Sequence, residues 1–203
     1  MSSRSLGWDG VEFDVQGPGF EYLGLRLSLL GQYQAGNAAL AVAGAHALGD
    51  ATPEAVRDGL SSARWPGRLE RVGPRLLMDG AHNPEGLRML VQELEGLIGR
   101  PPLTVVFATM ADKDIDALLQ ELGKLRPRSV VFTRAAGAGE RAADPEEMAE
   151  RWPHGAEVVW SGRKALDRAQ ELAGPDGWVL VCGTLYLVGE LLYPEERGTR
   201  PQG

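Results

Sequence analysis

Arg75-Leu-Leu-Met-Asp-Gly-Ala-His-Asn-Pro-Glu-Gly86 changes its hydrophobic period part-way along, and no other stretch restricts the fold as much. Leu76 to Met78 is a short apolar run of the kind that forms a strand buried on both faces. Asn83 is a good helix N-cap, and Pro84 fits the first helical position, where a missing N–H costs nothing. Leu87, Leu90, Val91, Leu94, Leu97 and Ile98 then follow at the spacing of one helix face. Asp79 and His82 therefore fall between the carboxyl end of a strand and the amino end of a helix. In open α/β sheets ligands bind there, because helix N–H dipoles face a crevice. A carboxylate in such a crevice accepts hydrogen bonds from ribose hydroxyls, and an imidazole contacts a phosphate or a carboxylate. The same residues serve equally well as a capped turn with a solvated Asp and His.

Strand and helix signals alternate from Arg68 onward. Residues 68–72 and 75–78, joined by Gly73-Pro74, predict an antiparallel pair. Further strands are expected over 103–109, 129–133, 156–160 and 178–182, with helices over 114–125, from Asp144-Pro145, over 163–173 and over 185–193. Such alternation implies an α/β fold: a Rossmann-like, mostly parallel sheet with helices on both faces. Upstream, Val11, Phe13 and Val15 alternate with polar residues, Gly17-Pro-Gly19 turns the chain, and Leu23, Leu25, Leu27 and Leu29 form the return arm. An Ala-rich helix over 34–48 closed by Gly49, and one opening at Thr52-Pro53, complete a β-hairpin and two helices. That set makes an implausible free-standing domain, and Trp65-Pro66-Gly67 marks the expected boundary. The division is then residues 1–66, residues 67–195 and a polar tail over 196–203.

A net charge of −7 argues against nucleic acid or an anionic membrane as the main partner. No apolar run approaches the ~20 residues that span a bilayer. The amino terminus lacks a signal-peptide pattern, and the single cysteine, Cys182, fits a cytoplasmic setting. One Cys and three scattered His cannot close a structural zinc site, so no metal site is expected in the chain.

Asp79-Gly-Ala-His-Asn-Pro-Glu-Gly86, preceded by Trp65-Pro-Gly-Arg-Leu-Glu70, resembles the signature of folylpolyglutamate synthase/dihydrofolate synthase, a branch of the Mur ligase superfamily. Three more stretches match in the same order: Gly31-Gln-Tyr-Gln-Ala-Gly-Asn-Ala-Ala39, Met110-Ala-Asp-Lys-Asp114 and Gly183-Thr-Leu-Tyr-Leu-Val-Gly-Glu190. The resemblance implies that residues 1–66 are the last portion of an ATP-binding domain and 67–195 a Mur-ligase-type C-terminal glutamate-ligase domain. It implies ATP contacts from Asn37 to adenine, Arg68 to phosphate and Asp79 to ribose. L-glutamate falls to Thr184, Lys113 and His82, although the resemblance leaves His82 open between glutamate and nucleotide; His82 is also the catalytic candidate. Read without the resemblance, Asn37 is a helix cap, Arg68 a surface or interdomain ion pair, Thr184 a helix cap and Lys113 a solvated cation. The pattern departs at Tyr33, where relatives carry His, and mildly at Thr184, where Ser is common.

Enzymes of this kind are ATP-dependent acid–amino-acid ligases that phosphorylate a carboxylate of folate or dihydropteroate and displace the phosphate with the glutamate amine. They need a phosphate-cradling loop and Mg²⁺. None of Lys113, Lys124 or Lys164 stands in a GxxxxGK[ST] context. The Mg²⁺ ligands and the P-loop are therefore expected in an amino-terminal ATPase half, from the same gene or a separate chain, without which these residues are inactive. Asp79, His82 and Thr184 are expected to share one crevice. A Mur-type amino-acid ligase is the nearest alternative. A non-catalytic Rossmann-like nucleotide-binding module is another, resting on Gly137-Ala-Gly-Glu-Arg-Ala142, a weak fit to a dinucleotide fingerprint whose helix opens several residues too late.

Overall fold

Val11, Phe13 and Val15 point to one side of their strand and are buried there, which sets the first layer of the computed structural model. The structure describes residues 2–49 and 52–193; the expected tail over 196–203 and the last two residues of the 67–195 stretch lie outside them. β1 (Ser2–Ser5), β2 (Val11–Gly17) and β3 (Phe20–Leu27) form an antiparallel sheet in that order. The expected hairpin is thus a three-stranded sheet. β1 carries no apolar residue, and all four of its residues are exposed, so hydropathy gave it no signal.

The return arm departs from simple alternation. Phe13 pairs with Leu25 but Val15 with Tyr22, so an extra residue is accommodated on β3. Gly24 takes φ 62° at the irregularity, and its N–H donates to Asp14 Oδ1 at 2.8 Å. Tyr22 consequently points inward, and Leu23, expected on the buried face, is 60% exposed. α1 (Gln34–Leu48) and α2 (Pro53–Ser62) cover the inner face, burying Ala35, Ala38, Val42 and Val56 against the two strands. Both helices match their sequence signals: Gly49 closes α1 in the left-handed conformation, and the Thr52 side chain accepts the Ala55 N–H at 3.2 Å.

The second sheet has six strands: β4 (Glu70–Gly73), β5 (Leu76–Met78), β6 (Leu103–Phe107), β7 (Ser129–Arg134), β8 (Glu157–Ser161) and β9 (Trp178–Cys182). Their order is β4-β5-β9-β6-β7-β8, with β4 antiparallel at the edge and the rest parallel. α3 (Pro84–Ile98), α4 (Ile115–Gly123) and α5 (Pro145–Arg151) pack on one face around Leu77, Phe107, Phe132 and Leu180. α6 (Gly162–Ala173) and α7 (Leu185–Leu192) pack on the other around Met78, Val106 and Val181. Because β9 fills the slot between β5 and β6, the chain leaves β5 across a gap that its last strand closes. Such a reversal opens a crevice at the carboxyl ends of the strands.

Leu30 packs into the core on the α3–α4 side of the second sheet, and the backbone N–H of Gln32 donates to Glu93 Oε1 at 2.8 Å, so the two units are joined. At the other end Trp8 stacks on Trp178 with centroids 5.6 Å apart, and Arg71 lies 4.8 Å over the Trp8 ring. Trp8→Ala is expected to cost about 1–3 kcal/mol of stability, from lost stacking and cation–π attraction. Urea unfolding checks it; a change under a few tenths of a kcal/mol removes this contact from the account.

Candidate functional site

The turn over 79–82 is held by backbone rather than by other side chains. Asp79 N–H continues the parallel ladder to the Val181 carbonyl at 2.9 Å. Its carboxylate is 3% exposed and accepts two N–H groups, from Leu69 through Oδ2 and from Ala81 through Oδ1, each at 2.7 Å. Leu69 is a non-glycine residue at φ 45°, a strained conformation that aims its N–H at Asp79 while its side chain is fully buried. The Gly80 N–H donates to the Gly67 carbonyl at 2.7 Å, so Trp65-Pro-Gly-Arg-Leu69 and Asp79-Gly-Ala81 are sewn together. Burial pushes the Asp79 carboxyl above its ordinary value, against the two N–H groups and the nearby Arg68 and His82. Asn83 caps α3 as expected, accepting the Gly86 N–H at 2.7 Å.

On one side of this turn lies a cleft of about 230 Å³ lined by Asn37, Arg68 and Asp79, with Tyr33 and Trp65. Asn37 reaches it from the first turn of α1, its Nδ2 donating to Gln34 Oε1 at 2.7 Å. The Arg68 guanidinium lies 5.9 Å over the Trp65 ring and pairs with no carboxylate among the described residues. Burial, followed by the Asp79 charge, raises the Tyr33 phenol above its ordinary value, so it stays a neutral hydroxyl. The two hydrogen bonds at Asp79 leave about two of its four lone-pair directions for another donor. The cleft thus offers an amide, a guanidinium and an acceptor carboxylate, a set that suits a nucleotide's base, phosphate and sugar.

On the other side lies a cleft of about 490 Å³ lined by His82, Lys113 and Thr184, together with Met110, Arg141 and Tyr186. His82 Nδ1 is 2.9 Å from the Gly80 carbonyl. A carbonyl only accepts, so Nδ1 carries the proton, and a neutral ring keeps its lone pair on Nε2. Thr184 is 2% exposed; its Oγ1 accepts the Tyr186 N–H at 3.2 Å to cap α7, and its own proton is left to donate. Among the described residues Lys113 has only its exposed neighbour Asp112 for a partner, at 3.6 Å.

Asp79, His82 and Thr184 stand at the ends of the adjacent strands β5 and β9, but they do not share one crevice. The turn between Asp79 and His82 presents the first to one cleft and the second to the other. Arg141 and Tyr186 stand in stretches singled out in the sequence, a glycine-rich run and the Gly183–Glu190 match, but neither signalled a place in this cleft. Residues 136–141 form a 3₁₀ segment broken at Gly139, and the next helix begins at Pro145, so Gly137 to Ala142 does not open a helix as a dinucleotide fingerprint does. Instead Ala142 bridges to Met110, and the Arg141 carbonyl accepts the Ala111 N–H at 2.9 Å, carrying Arg141 to the cleft. Among the described residues no three His, Cys, Asp or Glu stand together in a metal-binding group, and no helix is long and apolar enough to cross a membrane.

The family model described as "Mur ligase, glutamate ligase domain" matches residues 67–185. A probable bifunctional folylpolyglutamate synthase/dihydropteroate synthase of Haloferax volcanii is 38% identical over 177 residues, 84% of this chain and 20% of that protein. The folylpolyglutamate synthase of Lacticaseibacillus casei is 32% identical over 89% of this chain and 42% of its own length. The structure of Mycobacterium tuberculosis folylpolyglutamate synthase complexed with ADP and AMPPCP superposes with a TM-score of 0.80 and 33% identity, over 96% of this chain and 46% of that one. The chain spans less than half the length of each of these relatives. With the whole second sheet inside the matched span and its likeness running to the folylpolyglutamate and dihydrofolate synthases, the chain belongs to the Mur ligase family, in its glutamate ligase domain.

Proposed function

We propose that the chain supplies one wall of the ATP site and the L-glutamate site of an ATP-dependent ligase that adds glutamate to folate or dihydropteroate. The observation that carries this is the pair of clefts back to back on the 79–82 turn, one holding Asn37, Arg68 and Asp79, the other His82, Lys113 and Thr184. The ADP and AMPPCP in the Mycobacterium tuberculosis relative support a nucleotide in the first cleft. On this reading Asn37 meets the adenine edge, Asp79 accepts from a ribose hydroxyl and Arg68 faces phosphate. Residues 1–66 belong to the ATP-binding domain and 67–195 to the glutamate-ligase domain.

ATP supplies a phosphoryl group to the substrate carboxylate. The glutamate amine then attacks the acyl carbon, the C–N bond forms, and phosphate leaves with the C–O bond electrons. Lys113 and Thr184 hold glutamate carboxylate oxygens. His82, with Nδ1 committed to the Gly80 carbonyl, orients the amine and accepts its proton at Nε2. Mg²⁺ bound with ATP would neutralise charge on the transferring phosphoryl group. A P-loop-bearing half must join this one, since the 203 residues hold no GxxxxGK[ST].

Mixing the protein with the P-loop-bearing half of a relative tests the reading. Glutamate-dependent ADP release is expected from the mixture, from neither half alone, and reduced on the order of 100-fold by His82→Ala. If both halves fold and associate yet release no ADP, the proposal fails.

A further inference from the structure

The first cleft has two walls, and they come from different parts of the chain. Tyr33, Gln34 and Asn37 stand at the start of α1, against the first sheet; Arg68, Asp79 and Met89 belong to the second. Asn37 and Asp79 therefore share a cleft only while α1 keeps its place against α3. Among the described residues no ion pair passes between residues 2–62 and 67–193, and a single hydrogen bond does, from the Gln32 N–H to Glu93 Oε1 at 2.8 Å. Leu30 also crosses, into the core of the second sheet. An apolar contact is non-directional and sets no register. The hydrogen bond does.

Glu93 is placed for this by both helices. Gly86 and Met89 line the cleft from α3, and Glu93 follows one turn after Met89 on the same helix face. Gln32 stands in the turn that runs into α1, where the Gln34 and Ala35 N–H groups donate back to the Gly31 and Gln32 carbonyls. α1 has no side-chain cap and no acidic residue in its first turn, so its positive end has no anion of its own. Glu93 supplies one from the other unit. Because the donor is a backbone N–H, the bond fixes the main chain shortly before Asn37 and not merely a side chain.

We infer that Glu93 is a positioning residue for the first cleft: it caps α1 from the opposite unit and so holds Asn37 across from Asp79 and Arg68. This rests on reading that cleft as the nucleotide site. Glu93 is not on the cleft wall, and its effect reaches a nucleotide through α1. Glutamine at 93 keeps an acceptor oxygen at the same reach, whereas alanine removes it.

ADP titrations of the ¹⁵N-labelled protein, followed by NMR at the Asp79, Ala81 and Gly86 amides, test this. Glu93→Ala is expected to weaken ADP binding by about 10-fold and Glu93→Gln by no more than about 2-fold. The decisive variant is Asn37→Ala, alone and combined with Glu93→Ala. If Glu93 works by placing Asn37, deleting the Asn37 amide costs little further once Glu93 is gone, so the two losses do not add. Glu93 is half-buried, and the spectrum of each variant reports its folding directly. Equal ADP affinity in wild type and Glu93→Ala overturns the inference, as does a double variant whose losses add in full; in both cases the cleft assignment stands. If wild type shows no response to ADP, the cleft assignment falls and takes the inference with it.

Discussion

Asp79→Ala is expected to lower folding stability by about 2–4 kcal/mol and to abolish nucleotide binding in the first cleft. The size follows from what the carboxylate holds. With it gone, the Leu69 and Ala81 N–H groups are left in a buried site without an acceptor, and each orphaned donor costs about 1–3 kcal/mol. Removing a buried charge returns part of that. Leu69 then loses the acceptor that its φ 45° conformation serves, and although the Gly80–Gly67 bond remains, the 65–69 segment is expected to loosen around Arg68. Asp79→Asn is no remedy, because its NH₂ meets one of the two N–H groups donor to donor. The pH dependence has a definite sign. Burial raises the Asp79 pKa above its unfolded value, so the folded chain holds a proton there over a range in which the unfolded chain has lost it. That contribution is full below the unfolded carboxylate pKa and is lost as pH rises through the folded one. The stability gap between wild type and Asp79→Ala is therefore expected to be wider at about pH 4 than at about pH 8 in urea unfolding. A constant or reversed gap contradicts the buried-carboxylate account, and an unaltered nucleotide titration contradicts the first cleft.

Local chemistry made much of the chain legible. Thr52, Asn83, Asp114, Asp144 and Thr184 were readable as caps, and each accepts a backbone N–H of its own helix, because a cap and its target are two or three residues apart. The buried parallel strands declared themselves by apolar runs such as Trp178–Cys182. Pairing between distant segments was not legible. β1 joins the first sheet through backbone bonds to β2 with no apolar residue to announce it. Leu23 turned outward because of a register shift visible only when β2 and β3 are side by side. The site divides the same way. Asp79 and His82 could be placed on one turn from their spacing, but which cleft each faces depends on residues 65–69 lying across that turn. Arg141 is brought in by a single bridge between two loops, and neither loop's sequence mentions the other.

Gly183→Ala is expected to be the more damaging substitution, costing about 3–6 kcal/mol and disabling the second cleft. Gly183 sits where β9 ends and Thr184 begins α7, at φ 101°, which side chains other than hydrogen rarely tolerate. A Cβ there would lie 2.2 Å from the Ala108 carbonyl oxygen and 2.7 Å from the Phe107 ring. Neither can step aside: Ala108 N–H is bonded back to the Cys182 carbonyl at 3.3 Å, and Phe107 is wholly buried against Phe132. The strain is relieved only by parting β6 from β9 at their carboxyl ends. That movement displaces Thr184 from one wall of the cleft and Met110 to Lys113 from the other. Alanine is small enough that the rest of the sheet should still form, so the variant separates folding from site geometry. A melting temperature lower by about 10 °C or more, with circular dichroism unchanged at low temperature and no glutamate response, is the expected outcome. Retained stability and retained glutamate binding would show that the carboxyl edge of the sheet is not the rigid frame on which the second cleft depends.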